Sequence, residues 1–573
     1  MRTDRIYVLI YIFLFIFALL LGKIFYYQIV CNEEITKQAI AMRSKEITLK
    51  EYLRGPILDR NHLPLTDNTR TYALYGLPFE IVRNYQGKVH DKEQAFKEIA
   101  SQIAKQTNGI EANLVASNLS NAMKKGHPIV RLAEDLSDED ISKINSSNLT
   151  GVVIAPLIKR YNSNNLCTHL IGYVKGTEKV QGVAGIEKQY DQILSTNALS
   201  PQLVSINDAR GRPIQGLMFK IRSEQNRNQG TVVLTIDKRI QTIVEEAMDK
   251  KVNKGTVVVM DVNSKEILAI ASRPSFNPNN LASVMDKEKD SPLTNRAFNR
   301  YYPGSLFKIL VAAAALEEKE VLLEDRFECQ GFYKFTDKLS ISCWKKEGHG
   351  RQTFAEAFAN SCNPAFIELG IKLQRDKLYE YVKKFHLTDE TINGWVDKTS
   401  SNSFVKISPG LAGIGNATLG QHGVMLTPIQ ITNLIATIAN DGKWGAPSIT
   451  RYYIDKEGNK HFTPKPNLEQ VISVDTAKKV QMLMEEVVQN GTGKNAGLTT
   501  VKIAGKTATS QTGMYLEEDK EILNTWFGGY FPADNPKWAI VVMVEEGSSG
   551  AADAAPIFKE ISSKILDLFS TIK

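Results

Sequence analysis

Cysteine is scarce in this sequence, with five residues among 573. Small secreted domains that depend on disulfides carry a far higher fraction of cysteine, so the chain is not a disulfide scaffold. Because five is an odd number, at least one cysteine stays unpaired within a single chain. The fold must therefore be stabilised by a hydrophobic core, which the apolar fraction of 43% allows.

A large excess of one sign of charge is also absent. The chain has 70 Lys and Arg residues against 63 Asp and Glu residues, a net charge of +7. The basic residues are scattered along the chain, so we predict no nucleic-acid-binding surface. A mildly basic exterior suits an anionic wall or membrane surface, although solvated faces explain the same charge more simply.

Long apolar runs are missing everywhere except near the start of the sequence. Residues 6–30 are apolar apart from Lys23 and a few polar positions, and they are long enough to span a bilayer. No small-residue cleavage site follows, which favours a retained anchor over a cleaved signal peptide. Because Arg2 and Arg5 precede the run, the positive-inside rule predicts residues 1–5 in the cytoplasm and everything after residue 30 outside.

One short segment, Ser305-Leu306-Phe307-Lys308, places a hydroxyl and an amine on one face of a helix. A serine needs a base within hydrogen-bond reach to act as a nucleophile. Lysine is such a base only when burial or a second cation lowers its pKa. The turn Pro303-Gly304 precedes the pair and an apolar run, residues 309–316, follows it, which predicts a buried helix with a reactive first turn. Ser342–Lys345 and Ser403–Lys406 share the spacing but lack this context.

Two later clusters complete a set of three motifs. Ser361-Cys362-Asn363 follows the first motif, and Lys506-Thr507-Ala508-Thr509 lies near the C-terminus. This order of motifs is the signature of penicillin-binding proteins and class A β-lactamases. Three motifs in the right order are far more specific than one.

The predicted pattern of secondary structure changes near residue 230. Residues 31–230 are mixed α/β with many turns, and residues 92–148 are predicted to be helical. From Thr231 the pattern predicts strands at 231–236, 255–261, 266–271, 501–505, 526–531 and 538–544, with a helix from Lys238 capped by Asp237 and a last helix at 556–569. Strands from both ends of a segment, with helices between them, predict one α+β domain over residues 231–573.

The chain resembles a class B penicillin-binding protein, a peptidoglycan D,D-transpeptidase. Besides the three motifs, the resemblance covers the apolar N-terminal run, Arg54–Asn61, Gly185–Glu187 and Arg273–Asn279. It implies an α+β multidomain fold: a transmembrane helix at residues 6–30, a mixed non-catalytic pedestal or dimerisation domain at 31–230, and a penicillin-binding transpeptidase domain at 231–573 with a serine β-lactamase-like α/β fold. No glycosyltransferase domain is expected.

The resemblance also implies a role for each catalytic residue. Ser305 would attack the penultimate D-Ala carbonyl of a stem peptide and form an acyl-enzyme, with Lys308 taking its proton. Ser361 would relay a proton to the leaving amine, and Asn363 would hold the substrate amide. β-Lactams would acylate the same serine, and catalysis would need no cofactor.

The third motif would bind the carboxylate end of the substrate. Lys506 would keep Lys308 neutral and attract the carboxylate, and the hydroxyls of Thr507 and Thr509 would bind it. Backbone N–H groups of Ser305 and Thr509 would form the oxyanion hole. The implied partners are the bilayer and a membrane glycosyltransferase of the wall-synthesis machinery.

Ala508 departs from the family pattern, which has glycine at this position. Alternate side chains on a strand face opposite sides, so Thr507 and Thr509 share one face and Ala508 points the other way. The extra methyl group either widens the cleft slightly or is absorbed by packing, and a weak or inactive enzyme stays an alternative.

A metal site is a further hypothesis. Cys329, Cys343 and His349 are spaced C-x13-C-x5-H between the first two motifs, and two thiolates and an imidazole are three of the four ligands that zinc prefers. Asp337 or a water is the candidate for the fourth, and some class B enzymes carry a cysteine and a histidine in this region. A Cys329–Cys343 disulfide and two unconnected thiols stay open. Cys362 is expected to point into the core.

Two other functions compete with transpeptidation. A D,D-carboxypeptidase or β-lactamase would use the same motifs, but a retained anchor and a large non-catalytic domain argue against a secreted β-lactamase. A β-lactam receptor or a scaffold would need no catalysis. Only about five residues are expected on the cytoplasmic side of the membrane, which disfavours a signalling receptor.

Overall fold

The computed structural model describes most of the chain: residues 2–32, 44–48, 54–66, 69–85, 92–107, 109–147, 149–161, 166–175, 180–195, 202–206, 220–222, 230–285, 290–388, 391–395, 404–517 and 520–570. It divides into two compact units. The first unit comprises Met1–Leu53, Arg70–Ile158 and Asn197–Arg227, and the second comprises Arg54–Thr69, Lys159–Thr196 and Asn228–Lys573. Residues 223–229, which directly precede the domain boundary predicted near residue 230, lie outside the described residues.

The predicted anchor is a helix. It runs over Arg2–Phe25 and continues as a π-helical turn over Tyr26–Val30. The segment Ile6–Val30 has a mean hydropathy of 2.7 and none of it is buried, and among the described residues it is the one helix long and apolar enough to cross a membrane. Its length of 25 residues suits a bilayer crossing.

The first unit combines helices with two small sheets. One sheet has the strand order Val130–Ala133, Thr69–Gly76, Val152–Lys159, and the other has the order Ser44–Thr48, Gln202–Ile206, Lys220–Arg222. The helices are Pro78–Asn84, Lys92–Gln106, Ala112–Lys124 and Asp138–Ser146. Helices therefore dominate the described part of residues 92–148, as predicted, but the range also contains the strand Val130–Ala133, which pairs with the end of Thr69–Gly76.

The second unit is built on a central sheet of five antiparallel strands. Their order is Ile267–Arg273, Gly255–Asp261, Trp538–Val544, Lys520–Phe531, Ala504–Glu517. Both faces of the sheet are covered, because Val257 and Val259 belong to one hydrophobic cluster while Val258 and Met260 belong to another. Strands from the two ends of residues 231–573 thus share one sheet, as predicted.

Helices form the layers on the two faces of this sheet. Lys238–Lys251 and Ala555–Ser570 pack in the cluster with Val257, and Lys308–Glu317 lies in the cluster with Val258. Asp237 caps the first of these helices by accepting a hydrogen bond from the Arg239 N–H, as predicted. The other helices of the unit are Thr168–Ile171, Gly185–Gln189, Asp191–Leu194, Ala282–Met285, Phe354–Ala359, Asn363–Lys384, Leu411–Thr418, Pro428–Ala439 and Val474–Gln489.

Smaller strands complete the second unit. A four-stranded sheet has the order Ile57–Leu58, Thr231–Leu234, Thr450–Ile454, Lys460–Phe462. Two-stranded pairs join Val174–Lys175 to Gln181–Gly182, Arg326–Cys329 to Gly350–Thr353, Phe332–Thr336 to Leu339–Ser342, Phe404–Val405 to Val424–Met425 and Lys443–Trp444 to Glu469–Gln470. The strand predicted at 501–505 begins only at Ala504, which pairs with Tyr530 near the end of its partner strand.

Candidate active site

Ser305 lies on a turn that leads into an almost fully buried helix of the second unit. The turn is a 3₁₀ helix, Gly304–Leu306, and the α-helix Lys308–Glu317 follows it. All residues from Lys308 to Leu316 are buried, whereas Ser305 is half-buried. Because residues i and i+3 eclipse one another in a 3₁₀ turn, Ser305 and Lys308 lie on one side. The predicted buried helix is confirmed, and Ser305 lies on the turn directly before it.

Close backbone contacts hold the Ser305 turn in place. Gly304 has a φ of +54°, a conformation that glycine adopts without strain. Its N–H donates to the carbonyl of Gly420 at 3.0 Å. A Cβ added to Gly304 would lie 3.0 Å from the carbonyl oxygen of Thr509. The turn therefore packs directly against the strand that carries the third motif.

The second motif joins two helices. Ser361 has a φ of +54°, and the Cys362 N–H donates to the Ala357 carbonyl at 2.9 Å, five residues back. This is the Schellman arrangement, with a left-handed residue after the end of Phe354–Ala359. A serine rather than a glycine carries the left-handed backbone, and strain of this kind is concentrated at functional sites.

Lys308 is the point where the first two motifs meet. Its Nζ donates to the Ser361 carbonyl at 2.8 Å and to Asn363 Oδ1 at 2.8 Å, and it lies 3.4 Å from Ser361 Oγ. A neutral amine has two N–H groups, so these two short bonds use both and leave the nitrogen lone pair free to accept a proton. These two hydrogen bonds fix the position of the Lys308 amine, as a general base requires.

Lys506 is the second buried amine of the site. Its side chain is fully buried, its Nζ has no hydrogen-bond partner within the described part of the chain, and Nζ lies 5.6 Å from the centre of the Phe358 ring. Burial lowers the pKa of Lys308 to about 8, against the opposing effect of the Cys362 and Cys343 thiols. Burial and the nearby charge of Lys308 hold the pKa of Lys506 well below its usual range. Burial and repulsion together disfavour two protonated amines here.

The two hydroxyls of the third motif have different surroundings. Thr507 is buried and its hydroxyl lies 2.6 Å from that of Thr492, while the exposed Thr509 accepts a hydrogen bond from the Gly550 N–H at 3.3 Å. Ala508 is 4% exposed and belongs to the hydrophobic core. The methyl group that departs from the family pattern is therefore absorbed by packing.

Cys329, Cys343, His349 and Cys362 form a cysteine–histidine cluster next to the second motif. Their ligand atoms all lie within 4.8 Å of one another, and His349 Nδ1 is 3.5 Å from Cys329 Sγ and 3.6 Å from Cys343 Sγ. A zinc ion with Zn–S and Zn–N bonds of about 2.3 and 2.05 Å in tetrahedral geometry separates S from N by about 3.6 Å. The four residues therefore fit a zinc ion.

Two details of the predicted cluster are corrected. Asp337 is not the fourth member, because it lies in the turn between two strands, is 95% exposed and pairs with Lys334 at 2.7 Å. Cys362 is fully buried as expected, but its thiol joins the cluster rather than plain apolar packing. A hydrogen bond from Cys362 lowers the pKa of Cys343 to about 4. No disulfide links Cys329 to Cys343, since both are free thiols.

Sequence reasoning missed several residues that position the motifs. Tyr301, four residues before the nucleophile, donates to Glu545 Oε1 at 2.9 Å, and Arg296 pairs with the same carboxylate at 3.0 Å. Thr492 and Gly550 contact the third motif as described above. None of these residues carries a motif in the sequence, so only the fold reveals them.

Comparison with known families decides what this site belongs to. The model of the penicillin binding protein transpeptidase domain matches residues 255–563, more than half of the chain and the range that holds all three motifs. The model of the penicillin-binding protein dimerisation domain matches residues 50–215. This chain is a class B penicillin-binding protein. The predicted family and fold class are confirmed.

Relatives of this penicillin-binding protein match along nearly its whole length. Stage V sporulation protein D of Bacillus subtilis is 30% identical over 600 residues, which cover 98% of this chain and 86% of the relative. The peptidoglycan D,D-transpeptidase FtsI of Escherichia coli K12 is 26% identical over 572 residues, covering 96% and 89%. The peptidoglycan D,D-transpeptidase MrdA of Haemophilus influenzae is 25% identical over 579 residues, covering 90% and 84%.

The predicted activity is confirmed at the level of the family. The protein is a transpeptidase of cell-wall synthesis, which implies peptidoglycan stem peptides as substrates and β-lactams as ligands. Its apolar N-terminal helix makes it a membrane-anchored member. The family needs no cofactor for the reaction, and the cysteine–histidine cluster is compatible with a zinc ion.

Proposed function

We propose that this chain cross-links stem peptides through an acyl-enzyme on Ser305. The observation that carries the proposal is the seating of Lys308. Two short hydrogen bonds, to the Ser361 carbonyl and to Asn363 Oδ1, orient Nζ and leave the lone pair of the neutral amine free to accept a proton. Ser305 is the hydroxyl on the adjacent turn, and it is half-exposed to an incoming substrate.

The first half-reaction transfers the acyl group to the enzyme. Ser305 Oγ forms a bond to the carbonyl carbon of the penultimate D-Ala while its proton passes to Lys308 Nζ. The C–N bond to the terminal D-Ala then breaks, and the leaving amine takes a proton back. Ser361 Oγ, 3.4 Å from Lys308 Nζ, is the relay for that proton. Asn363 holds the substrate amide.

The second half-reaction forms the cross-link. An amine from another stem peptide attacks the ester carbonyl, the bond to Ser305 Oγ breaks, and the serine regains a proton. In both half-reactions the backbone N–H groups of Ser305 and Thr509 stabilise the oxyanion. The close approach of Gly304 to the Thr509 carbonyl brings these two segments together.

Lys506, Thr507 and Thr509 form the carboxylate-binding end of the site in this proposal. A carboxylate accepts hydrogen bonds and carries negative charge, so two hydroxyls and an amine match it. Lys506 Nζ has no hydrogen-bond partner in the described structure although it is fully buried. A substrate carboxylate would supply the missing counter-charge, and it would restore the protonated form of Lys506 while Lys308 stays neutral.

We also propose an orientation and a domain division. Arg2 and Arg5 place residues 1–5 in the cytoplasm, residues 6–30 across the membrane and the remainder outside, by the positive-inside rule. Residues 31–230 act as the pedestal and residues 231–573 carry the catalytic domain. A membrane glycosyltransferase supplies the glycan strands that this chain cross-links, because the catalytic motifs here account for peptide transfer alone.

The cysteine–histidine cluster holds a structural zinc ion in this proposal. Cys329, Cys343, Cys362 and His349 supply three sulfurs and Nδ1, the ligand set of a closed site with no open position for catalysis. The lowered pKa of Cys343 suits a thiolate ligand. Cys362 lies between Ser361 and Asn363, so the ion would tie the second motif to the strands Arg326–Cys329 and Leu339–Ser342.

Intact-protein mass spectrometry of the full-length protein in detergent tests the nucleophile. Benzylpenicillin should add one mass increment that persists for many minutes, and Ser305→Ala should abolish it. Ser342→Ala is the matched control, because Ser342 has the same spacing to a lysine yet lies on an exposed strand. An adduct that disappears within seconds would indicate a hydrolase, and no adduct on folded wild-type protein would contradict the proposal.

Metal analysis of the same protein tests the zinc site. We expect one zinc per chain, retained in Cys31→Ser and lost in Cys343→Ser together with a lower unfolding temperature. Cys31 is the control because it lies outside the cluster. Protein that holds no stoichiometric zinc, whether purified with or without reductant, contradicts the zinc site and leaves the transpeptidase proposal intact.

A further inference from the structure

The shortest side-chain contact of the third motif is made by a residue outside all three motifs. Thr492 Oγ1 lies 2.6 Å from Thr507 Oγ1. Thr492 follows the helix Val474–Gln489 and precedes the motif by a loop of the chain. Thr507 is 7% exposed, so water has little access to its hydroxyl. The partner of this hydroxyl is therefore built into the fold.

The position of Thr492 is fixed by the second motif. Its N–H donates to the Ala359 carbonyl at 3.2 Å, at the end of the helix that leads into Ser361. The preceding Gly491 packs so closely that an added Cβ would lie 2.4 Å from the same carbonyl oxygen. Thr492 thus links the second motif, through its backbone, to the third motif, through its side chain.

The direction of the hydroxyl bond follows from what Thr507 must do. A carboxylate only accepts hydrogen bonds, so Thr507 must donate its proton to it. The oxygen of Thr507 must then accept from Thr492. Thr509 has the same arrangement, because its oxygen accepts from the Gly550 N–H at 3.3 Å and its proton is left for a ligand. Each carboxylate-binding hydroxyl therefore has a donor behind it.

In the absence of a carboxylate, the reverse direction of the hydrogen bond is also possible. The Thr492 hydroxyl also lies 3.5 Å from the Ala359 carbonyl, so Thr507 can donate to Thr492 and Thr492 to that carbonyl. Binding of a carboxylate would reverse the direction of these hydrogen bonds, so that Thr492 donates to Thr507 and Thr507 donates to the ligand. Hydrogen bonds in such a chain polarise one another and strengthen the last bond.

We infer that Thr492 is a positioning residue that keeps the Thr507 hydroxyl as a donor to the carboxylate of the substrate and of β-lactams. The inference rests on the proposed function, because it takes the carboxylate-binding role of Thr507 from it. Thr492 takes no part in bond breaking. Its effect is confined to ligands that carry the carboxylate.

The test compares acylation by benzylpenicillin with acylation by its methyl ester, which lacks the carboxylate. Full-length wild type, Thr492→Val, Thr492→Ser and the exposed control Thr500→Val are each mixed with both compounds, and the second-order acylation constants are measured by mass spectrometry. A hydrogen bond to a charged group corresponds to about a tenfold change. We expect Thr492→Val to react about tenfold more slowly with the acid and within twofold of wild type with the ester.

The other variants separate positioning from packing. Thr492→Ser keeps the donor and should restore the preference for the acid over the ester, and Thr500→Val should leave it unchanged. If Thr492→Val folds poorly, Thr492→Cys replaces it, because cysteine is a weak donor of similar size. Its preference for the acid over the ester should be weaker than that of wild type and Thr492→Ser, but not lost. Equal losses with both compounds, or no loss with the acid, overturn the inference. Wild type that takes up neither compound refutes the proposed function itself.

Discussion

The sharpest stability prediction concerns Glu187, which is fully buried between two arginines. Its Oε2 is 2.9 Å from Arg54 Nε and its Oε1 is 2.7 Å from Arg160 Nε. Asp191 contacts Arg54 from the other side at 2.9 Å. The two carboxylates balance the two guanidinium groups, so Glu187→Ala leaves one uncompensated positive charge in the interior.

The expected cost follows from the burial of the partners. Arg54 is 3% exposed and the Arg160 side chain 11%, so both guanidinium groups are largely shielded from water. Removing one partner of a buried ion pair costs about 3–5 kcal/mol. At roughly 2 °C per kcal/mol, the low end for large domains, the unfolding temperature should fall by about 6–10 °C. Glu187→Gln keeps the volume but loses the charge, so it should cost nearly as much.

The assay is thermal unfolding of the full-length protein in detergent, followed by circular dichroism and by the loss of penicillin labelling. Arg54 and Glu187 both belong to the unit that holds Ser305, so labelling reports on the correct unit. Glu139→Ala is the control, because its ion pair with Lys143 is solvent-exposed and should leave the transition unchanged. Glu187→Gln that unfolds within 2 °C of wild type would refute the charge argument.

Four further outcomes follow from the site. Between pH 6 and 9 the acylation rate should rise about tenfold per pH unit and level off near pH 8, because the pKa of Lys308 is lowered to about 8 and only its neutral amine accepts a proton; a flat profile contradicts this. The same lowered pKa makes the folded state lose this proton before the unfolded chain does, so the Lys308 contribution to stability rises with pH above about 8. Ala508→Gly should be acylated at a rate within threefold of wild type. Its free energy of unfolding should be about 1–2 kcal/mol lower, because a buried methyl is lost from a strand. A large rise in the acylation rate would show that the methyl obstructs the cleft. Gly304→Ala should lower the acylation rate at least tenfold, because the φ of Gly304 is +54° and the new Cβ would lie 3.0 Å from the Thr509 carbonyl oxygen. The control Gly513→Ala, with a φ of +73° and open space around it, should not lower the rate. Equal effects would assign the loss to backbone conformation alone.

Local chemistry explains what could be predicted from the sequence. The turn at Pro303-Gly304, the apolar helix after Lys308 and the cap at Asp237 each depend on neighbouring residues, and all three are present in the structure. Three strands of the central sheet were predicted from runs of Val, Ile and Ala, which mark buried strands. The strand predicted at 526–531 is the second half of Lys520–Phe531, and the one predicted at 501–505 overlaps its observed strand only at Ala504 and Gly505. The third motif was also expected on a strand, although no apolar run marks it, and it lies within Ala504–Glu517.

What the sequence could not reveal depends on contacts between distant segments. Cys362 joins the cluster because the left-handed backbone at Ser361 turns the chain, and nothing in the residues Ser361-Cys362-Asn363 specifies that conformation. Asp337 appeared to be a suitable ligand from spacing alone, yet the turn between its two strands carries it into solvent. Thr492 contacts Thr507 only because Gly491 permits a close approach to Ala359.

The buried charge cluster bears on how the catalytic unit is assembled from the chain. Arg54 and Glu187 are 133 residues apart, and both come from segments that precede the central sheet in sequence. The strand Ile57–Leu58 pairs with Thr231–Leu234, and Asp59 accepts a hydrogen bond from the Lys238 N–H at the start of a catalytic-domain helix. A purely apolar contact would allow several registers of these segments, whereas buried charges have all their hydrogen-bond partners in one arrangement only. We hypothesise that the buried charges fix the register here. Truncation at residue 231 would remove the partners of that helix and strand. A catalytic domain that begins at residue 231 should therefore lose penicillin labelling at a lower temperature than the full-length protein. Equal thermal stability of the two proteins would contradict this hypothesis.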